Sequence, residues 1–230
     1  MSNFLSNLLK TLEPNFKPRW DRYNSELVGI ITNKTKWVDV GCGQNEWVVE
    51  YGSLALEAIG TDVVSPNNDS TFVLTKANKL PFEDNSIDLI SLRFVVEHLQ
   101  TINEDLNEFA RVLKPNGKIL ILTTNVLNPF IFIAKYIPEK YKTPFLSKVF
   151  KVSDNDLFPT THPLNRPSDF LNLGKHIKLR KIEYISDLNT NNPLMFLAFY
   201  LWHLITKPKF LNKFRTNLLV ILDRLETKVE

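Results

Sequence analysis

The sequence has little cysteine, little net charge and no apolar run long enough to span a bilayer. Cys42 is the single cysteine, which excludes an intramolecular disulfide and any zinc cluster built from several cysteines. The net charge of +3 at pH 7 is too small to indicate nucleic acid binding by itself. The opening residues show no basic, apolar and small-residue signal for secretion. We therefore expect a cytoplasmic protein with no nucleic acid partner.

The composition is that of an ordinary folded domain. A chain of 230 residues with 43% hydrophobic content is long enough to bury the core of one α/β domain with embellishments. We predict a single domain over residues 1–230. Its predicted embellishments are a helical cap, a lid insertion, and a hydrophobic and basic insertion before the last strand, at residues 1–35, 126–166 and 190–215.

One stretch, residues 36–45, organises the chain. Apolar residues on both sides of Asp39 predict a short buried strand, and Gly41 and Gly43 then break it. Residues 46–58 carry apolar side chains at nearly helical spacing, so the unit is a strand, a glycine loop and a helix. Loops of this kind place backbone N–H groups and a helix N-terminus beside a bound nucleotide or nucleoside. The alternative is a turn that only reverses the chain.

The next strand favours a cofactor site. Residues 58–64 predict a strand that carries Asp62 about twenty residues beyond the loop, where doubly wound folds place a carboxylate that binds ribose hydroxyls. The run from Val38 to Gly43 resembles the first motif of the class I S-adenosylmethionine-dependent methyltransferases, within their type 11 group. Asp62 resembles the acid that holds the ribose of their cofactor.

This resemblance implies a fold and a reaction. The implied fold is α/β and Rossmann-like, with a seven-stranded, mostly parallel sheet of order 3-2-1-4-5-7-6 and helices on both faces. The implied cofactor is S-adenosylmethionine, whose activated methyl group is transferred to an oxygen, nitrogen or carbon nucleophile. The whole of residues 1–230 is then one methyltransferase domain.

The resemblance continues through residues 77–90, up to the fourth strand. Members of the group have an Asp that contacts adenine at the position of Lys76, and a lysine cannot accept a hydrogen bond from the exocyclic amine. We therefore assign adenine recognition to the backbone near Ala77 and the side chain of Asn78, and interpret Lys76 as a solvated lysine at a strand end. The predicted cofactor-binding residues are Asp39, Gly41, Cys42, Gly43, Asp62, Val63, Ala77, Asn78 and Arg93.

Glu97 and His98 follow the fourth strand, where the group has a Glu-His-Leu segment that begins a helix beside the pocket mouth. Related quinone-biosynthesis enzymes have a further Glu three residues earlier, which makes a candidate metal set. Phe94 stands at that position here, so we predict no metal. Two interpretations are open: the pair caps and packs the helix, or one member is catalytic. For catalysis His98 is the better general base, since its reference pKa lies nearest to neutrality.

Periodicity predicts the remaining elements. Further strands are expected at residues 70–75, 87–92, 119–122, 178–186 and 217–222, the last one antiparallel between the fifth and sixth strands. Further helices are expected at residues 1–13, 21–31, 106–113 and 168–175. The leucine-rich helix at residues 1–13 either covers the domain or touches a membrane.

The insertion after the fifth strand occupies the region where many class I enzymes build a lid over the acceptor. Within it, His162 and Arg166 are predicted acceptor contacts. Its scattered lysines either face an anionic acceptor or lipid headgroups, or form a solvated face.

Residues 193–205 form the most unusual stretch, an aromatic and apolar run with basic residues after it. At about a dozen apolar residues it is shorter than the ~20 that span a bilayer. Three interpretations are open: the run lies in a membrane interface, covers its own sheet, or pairs with a second copy in a homodimer.

These features predict methyl transfer to a glycan, lipid-linked or other amphiphilic small molecule, with peripheral contact at the inner membrane face through residues 193–215. One alternative is a soluble small-molecule methyltransferase whose apolar helix is only structural. Another is a non-catalytic cofactor-binding or scaffold protein with a degenerate site. Lys76 supports that last alternative, and so does Asn45 at the place of a third glycine, although Asn tolerates positive φ better than most residues.

Overall fold

A computed structural model describes residues 2–65, 69–135, 163–188 and 190–226. Contacts within the chain divide it into two compact units. The described residues of the first, the sheet unit, are 23–65, 69–123, 163–183 and 218–226. Those of the second, the helical unit, are 2–22, 124–135, 184–188 and 190–217.

The seven predicted strands form one sheet, and the predicted order of strands is confirmed: β3-β2-β1-β4-β5-β7-β6. The pairs β1–β2, β1–β4, β2–β3 and β4–β5 are parallel. The strands are β1 Lys36–Val40, β2 Glu57–Asp62, β3 Phe72–Leu74, β4 Ile87–Arg93, β5 Leu113–Thr124, β6 Ile177–Ile185 and β7 Asn217–Arg224.

The last strand runs antiparallel to β5, as predicted. Just after β5, the backbone N–H of Asn125 donates to the carbonyl of Thr216, just before β7, at 2.9 Å. At the other end, the guanidinium of Arg224 in β7 donates to the carbonyl of Leu113, the first residue of β5. The start of β7 therefore lies beside the end of β5. Seven of the eight residues of β7 are buried, which suits an inner strand covered on both faces.

Six α-helices are described. They are α1 Ser2–Leu12, α2 Arg19–Ile30, α3 Glu46–Tyr51, α4 Ile102–Val112, α5 Pro129–Lys135 and α6 Pro193–Ile205. Short 3₁₀ turns connect several elements, at Gly52–Leu54, Val96–His98, Pro167–Leu171 and Asn212–Phe214. Among the residues that the structure describes, no helix has the length and apolar character needed to cross a membrane.

Two predicted helices were too long. The helix expected over residues 46–58 ends at Tyr51, because Gly52 is a poor helix former and the chain must turn back to start β2 beside β1. The N–H of Leu56 already donates to the carbonyl of Thr35 at 2.9 Å, ahead of that strand. The helix expected over residues 168–175 is only a 3₁₀ turn.

The helical unit gathers parts of all three predicted embellishments: the start of the cap, the start of the lid insertion and the segment before β7. Its core contains Leu5 and Leu9 of α1, packed with Leu188 and Phe196. The leucines recur on one face of α1 as the sequence pattern requires, so this helix packs within its own unit. The description of residues 1–230 as one domain stays a prediction.

Candidate functional site

The glycine loop after β1 is fastened to β2 through its backbone. Gly41 and Gly43 have φ angles of 69° and 59°, a region that L side chains rarely adopt. The N–H groups of Gly41 and Cys42 both donate to the carbonyl of Thr61, at 2.7 and 3.1 Å. A Cβ on Gly41 would lie 2.2 Å from a methyl group of Val95, whereas a Cβ on Gly43 would have no neighbour within 4 Å. The backbone of Gly43 is therefore open to a ligand.

Asp62 stands at the end of β2 directly beside this loop. Its Oδ2 accepts a hydrogen bond from the N–H of Gly43 at 2.9 Å, and its Oδ1 accepts from the N–H of Val63 at 2.6 Å. The N–H of Val64 also donates to Oδ1, at 3.2 Å. The structure thus brings together Gly43, Asp62 and Val63, three of the predicted cofactor-binding residues. Because Oδ2 has one backbone donor, it has room to accept a hydroxyl as well.

Asn45 takes the place of a third glycine without disturbing the loop. It adopts the left-handed conformation at φ 60° and is fully buried. Its Nδ2 donates to Asp69 at 2.6 Å and to the hydroxyl of Thr71 at 3.0 Å, which ties the loop to the segment before β3. The amide fits because Gly60 lies beneath it: a Cβ on Gly60 would lie 1.9 Å from Oδ1 of Asn45. This departure from the family pattern is therefore accommodated structurally.

A buried ion pair lies beneath the loop. Asp39 is fully buried and pairs with the guanidinium of Arg93, whose side chain is 8% exposed. The hydroxyl of Ser91 donates to the other oxygen of Asp39 at 2.5 Å, and the indole N–H of Trp37 donates to Ser91 at 2.8 Å. The guanidinium also lies over the ring of Trp47, 4.5 Å from its centroid. Asp39 and Arg93 pair with each other here, and direct contact of either one with a cofactor stays a prediction.

Burial controls the protonation of the groups around this pair. Burial raises the pKa of Asp39 above its ordinary value, while Arg93 and Ser91 act in the opposite direction. Burial, helped by the charge of Asp39, also raises the pKa of the Cys42 thiol to about 12. The thiol is therefore protonated at neutral pH, which argues against a role of Cys42 as a nucleophile.

The turn after β3 carries the residues assigned to adenine. The N–H of Thr75 donates to the carbonyl of Asp62 at 2.9 Å, so this turn starts next to the acid. Lys76 is exposed, as expected for a solvated lysine at a strand end. The Nδ2 of Asn78 donates to Thr101 at 3.2 Å and to Glu104 at 3.1 Å, near the start of α4. Its Oδ1 is the kind of acceptor that an exocyclic amine needs.

Asp105 in α4 is an acid whose protonation the fold shifts. Its side chain is buried, at 3% exposure, and the hydroxyl of Thr101 lies 3.5 Å from it. Burial raises the pKa of Asp105 to about 6, and the nearby Glu104 adds to this increase, while Thr101 opposes it. An acid with a raised pKa favours folding at low pH, because the folded state binds the proton more tightly than the unfolded chain.

We expect Asp105→Asn to stabilise the protein at pH 8 and to leave its stability at pH 4 almost unchanged. The contribution of Asp105 to the free energy of unfolding is fully present below its unfolded pKa of about 3.9. It is lost as the pH rises through about 6, its pKa in the folded protein. Asparagine carries no charge at either pH, so the expected gain at pH 8 is about 1–3 kcal/mol. Urea denaturation at the two pH values measures it. Glu50→Gln, at an exposed acid of α3, is the control. An equal gain for Asp105→Asn at both pH values would contradict the raised pKa of Asp105.

The segment after β4 contains a strained residue that the sequence did not indicate. Phe94 has φ 55°, a conformation rare for a bulky side chain, and lies at the carboxyl end of the strand. Its N–H donates to the carbonyl of Leu122 in β5 at 2.8 Å, which holds it there. Such strain clusters at ligand sites. Here it turns the chain so that Val95 reaches Gly41 of the glycine loop.

Glu97 and His98 do not begin a helix, contrary to expectation. They form a 3₁₀ turn, Val96–His98, and α4 begins only at Ile102 because Leu99 is extended. Glu97 is buried and accepts a hydrogen bond from the hydroxyl of Thr123 at 2.8 Å, which supports a packing role for this residue. His98 is half-buried beside it, and its catalytic role stays a prediction.

Sequence reasoning missed Asn165. This residue is fully buried, and its Nδ2 donates to the hydroxyl of Thr123 at 2.7 Å, so Thr123 joins it to Glu97 at the carboxyl end of the sheet. The neighbouring Arg166, which the sequence favoured, is exposed at the start of a 3₁₀ turn. His162 lies outside the described residues. Nothing in the local sequence indicates that Asn165 is buried and Arg166 exposed.

Within the described ranges, no group of three or more His, Cys, Asp or Glu side chains could hold a metal ion.

The fold is the Rossmann-like fold of class I methyltransferases. Residues 38–121 match a family model described as a methyltransferase domain. That segment is a type 11-like methyltransferase domain, and the resemblance noted in its motifs is confirmed.

Named relatives share this region at modest identity. The ubiquinone/menaquinone biosynthesis C-methyltransferase of Azotobacter vinelandii is 26% identical over 155 residues, which cover 60% of this chain and 60% of that protein. The demethylmenaquinone methyltransferase of Staphylococcus aureus is 28% identical over 138 residues, covering 53% of this chain and 57% of that protein. The chain thus spans about three fifths of the length of these relatives.

Solved structures share the fold. An S-adenosylmethionine-dependent methyltransferase from Mesorhizobium loti superimposes with a TM-score of 0.52 at 15% identity, covering 89% of this chain and 97% of that one. The geranyl diphosphate C-methyltransferase of Streptomyces coelicolor, crystallised with S-adenosyl-L-homocysteine, gives a TM-score of 0.56 at 14% identity, covering 89% of this chain and 78% of that one. At these identities the likeness concerns the fold alone.

Proposed function

We propose that this chain binds S-adenosylmethionine and transfers its methyl group to an amphiphilic small molecule. The observation that carries the proposal is the position of Asp62, at the end of β2 and hydrogen-bonded to the open backbone of Gly43. In a doubly wound fold, a carboxylate at this place receives ribose hydroxyls, and the adjacent glycine lets the ligand approach the main chain.

The residues present fit this cofactor. Oδ2 of Asp62 can accept a ribose hydroxyl, and Oδ1 of Asn78 can accept from the adenine amine. The space that a Cβ would occupy on Gly43 has no protein atom within 4 Å, so this residue offers the close approach that a nucleoside needs. When bound, S-adenosylmethionine supplies a methyl group attached to a sulfonium and leaves as S-adenosylhomocysteine.

Positioning is expected to supply much of the rate. Methyl transfer needs the nucleophile in line with the sulfonium, so an acceptor held in that geometry reacts without a strong base. His98, half-buried after β4, is the candidate that would take a proton where the acceptor must lose one. Glu97 in the same turn is held by buried hydrogen bonds that run through Thr123 to Asn165.

The proposed acceptor is a lipid-linked, glycan or other amphiphilic molecule. The sequence supports this class through the apolar and basic segment before β7. The names of the two curated relatives, which refer to ubiquinone and menaquinone synthesis, favour an apolar quinone precursor within the same class. A water-soluble acceptor is the competing candidate. To distinguish the two, the protein is incubated with S-adenosylmethionine that carries a radiolabelled methyl group, together with either a lipid extract or an aqueous extract. Label in the organic phase after incubation with the lipid extract would support an amphiphilic acceptor. Label only in the aqueous phase would support a water-soluble one.

The first test is calorimetric titration with S-adenosylmethionine. We expect wild-type protein to bind and Asp62→Ala to bind about 10- to 100-fold more weakly, because the charge-assisted hydrogen bond from the ribose to Oδ2 contributes about 1.5–3 kcal/mol. Asp62→Asn keeps an acceptor for the N–H of Gly43 and is expected to lose less. The control is Asp223→Asn, near the end of β7, whose carboxylate pairs with Arg180 at 3.3 Å on the surface.

Either result is informative about function. Equal affinity in wild type and Asp62→Ala would remove Asp62 from the cofactor site. No binding by folded wild-type protein would overturn the proposal and favour the non-catalytic scaffold, with Lys76 as the first departure to investigate.

A further inference from the structure

Helix α6 exposes a continuous row of aliphatic side chains, which we name the leucine stripe. Its five members follow each other at intervals of three, four, three and one residue, so they lie along one side of the helix. Their side chains are between 38% and 75% exposed. The stripe consists of Leu194, Leu197, Leu201, Leu204 and Ile205.

The other side of α6 is used within the helical unit. Phe196 is buried with Leu5 and Leu9 of α1, and Phe199 and Tyr200 pack against the same cluster. His203, also buried, hydrogen-bonds Ser186 at 2.9 Å. These contacts bury one face of the helix within its own unit, and the leucine stripe on the other face remains exposed to solvent. Isolated exposed leucines are common, but five along one helix make a contiguous apolar surface of the kind that binds something.

The charged residues in the segment that contains the stripe have one sign. Residues 190–215 contain three lysines and one arginine and no acidic residue. Lys207 is paired with Glu13 at 2.5 Å, but Lys209 and Lys213 are exposed at the end of the helix. Phe210, between them in sequence, is 74% exposed. An aromatic and aliphatic surface with a basic border suits an anionic lipid surface.

The helix has the length of an interfacial element. Its 13 residues extend about 20 Å at 1.5 Å per residue, less than the ~30 Å hydrocarbon thickness of a bilayer. One face is already committed to its own unit, so the helix can only lie along a surface with the stripe against it. A dimer formed through the stripe would bring the lysines of two chains to one interface with no acid from residues 190–215 to pair with them.

We propose that the leucine stripe docks on an anionic lipid bilayer, with α6 parallel to the surface and Lys209 and Lys213 among the headgroups. Apolar burial of the stripe supplies the affinity, and the two lysines supply the preference for negative charge. This surface does not depend on the proposed methyl transfer: a protein without any cofactor would dock equally well. Where the chain is an enzyme, docking would bring it to the phase in which amphiphilic acceptors are concentrated.

Flotation with sealed vesicles tests the proposal on the full chain. We expect wild-type protein to float with phosphatidylcholine vesicles containing phosphatidylglycerol, and much less with phosphatidylcholine alone. Leu197→Gln combined with Leu201→Gln is expected to reduce the partition coefficient about tenfold per leucine. Lys209→Gln combined with Lys213→Gln is expected to reduce it about fivefold per lysine on the anionic vesicles only, and 0.5 M salt should have a similar effect.

Matched controls distinguish docking through the leucine stripe from nonspecific adsorption to the vesicles. Leu171→Gln removes a leucine of the sheet unit that is 74% exposed, more than Leu197 or Leu201, and should float like wild type. Circular dichroism of each variant checks that it is folded. No flotation of folded wild-type protein would overturn the proposal. A wild-type dimer by light scattering that becomes monomeric in the Leu197 and Leu201 variant, without flotation of either, would assign the stripe to a second copy of the chain instead.

Discussion

Replacing Arg93 with methionine is expected to destabilise the protein by about 3–5 kcal/mol, because it leaves the carboxylate of Asp39 buried without its cation. Asp39 is fully buried and the Arg93 side chain is 8% exposed, so water cannot take the place of the guanidinium. Methionine keeps much of the side-chain volume and its contact with the ring of Trp47, which isolates the effect of charge. Urea denaturation at pH 8 measures the loss of unfolding free energy.

A control variant and a double variant test whether the loss comes from the unpaired buried charge. Arg180→Met breaks an exposed pair with Asp223 and should cost at most about 1 kcal/mol. Adding Asp39→Asn to Arg93→Met should recover much of the lost stability, because the remaining buried group is neutral. The deficit of Arg93→Met should also shrink between pH 8 and pH 5, since an isolated buried carboxyl binds a proton more readily. A loss no larger than that of Arg180→Met would show that the pair is not buried as described.

Replacing Gly41 with alanine is the second change with a large expected effect. At φ 69°, an L side chain costs about 1–2 kcal/mol, and the new methyl group would lie 2.2 Å from a methyl of Val95. Relief of that clash by backbone movement adds about 1–3 kcal/mol and displaces the loop from the carbonyl of Thr61. We expect a total loss of about 2–5 kcal/mol in urea denaturation and loss of S-adenosylmethionine binding in calorimetry.

Gly43 and Val95 supply the controls for this variant. Gly43→Ala carries the same type of φ penalty without a clash, since no atom lies within 4 Å of its added Cβ, and should cost about 1–2 kcal/mol. Val95→Ala in the Gly41→Ala background should restore the part of the stability that the clash removed, giving a favourable coupling in a double-mutant cycle. Equal losses for Gly41→Ala and Gly43→Ala, with no rescue by Val95→Ala, would be incompatible with the close approach of Val95.

The glycine loop was predictable because it depends on a short-range pattern, and the strand order was predictable because that pattern resembles a family whose fold has this order. A buried strand followed by glycines and then by an acid at the end of the next strand is written within thirty residues, and parallel strands joined by helices have few possible arrangements. The tolerance of Asn45 for a positive φ was also predictable, since it belongs to the residue itself.

The partners of the site residues were not predictable from the chain. Asp39 and Arg93 both resembled cofactor-binding residues, yet they lie 54 positions apart and meet beneath the loop as an ion pair. The packing of Asn45 against Gly60 and the link from Asn165 to Thr123 join residues that no local periodicity relates. Such pairs depend on the register between strands, which local sequence does not specify.

The sequence by itself determined the location of the glycine loop, because hydrophobic period, glycine and a strand-end acid act locally. Its resemblance to the class I methyltransferases determined the class of fold and the order of the strands. Only the tertiary structure decided that Asp39 and Arg93 neutralise each other, that Phe94 is held in a strained conformation, and which side of α6 is covered. Those outcomes depend on contacts between distant segments, and burial, which sets their energies, exists only once the chain has folded.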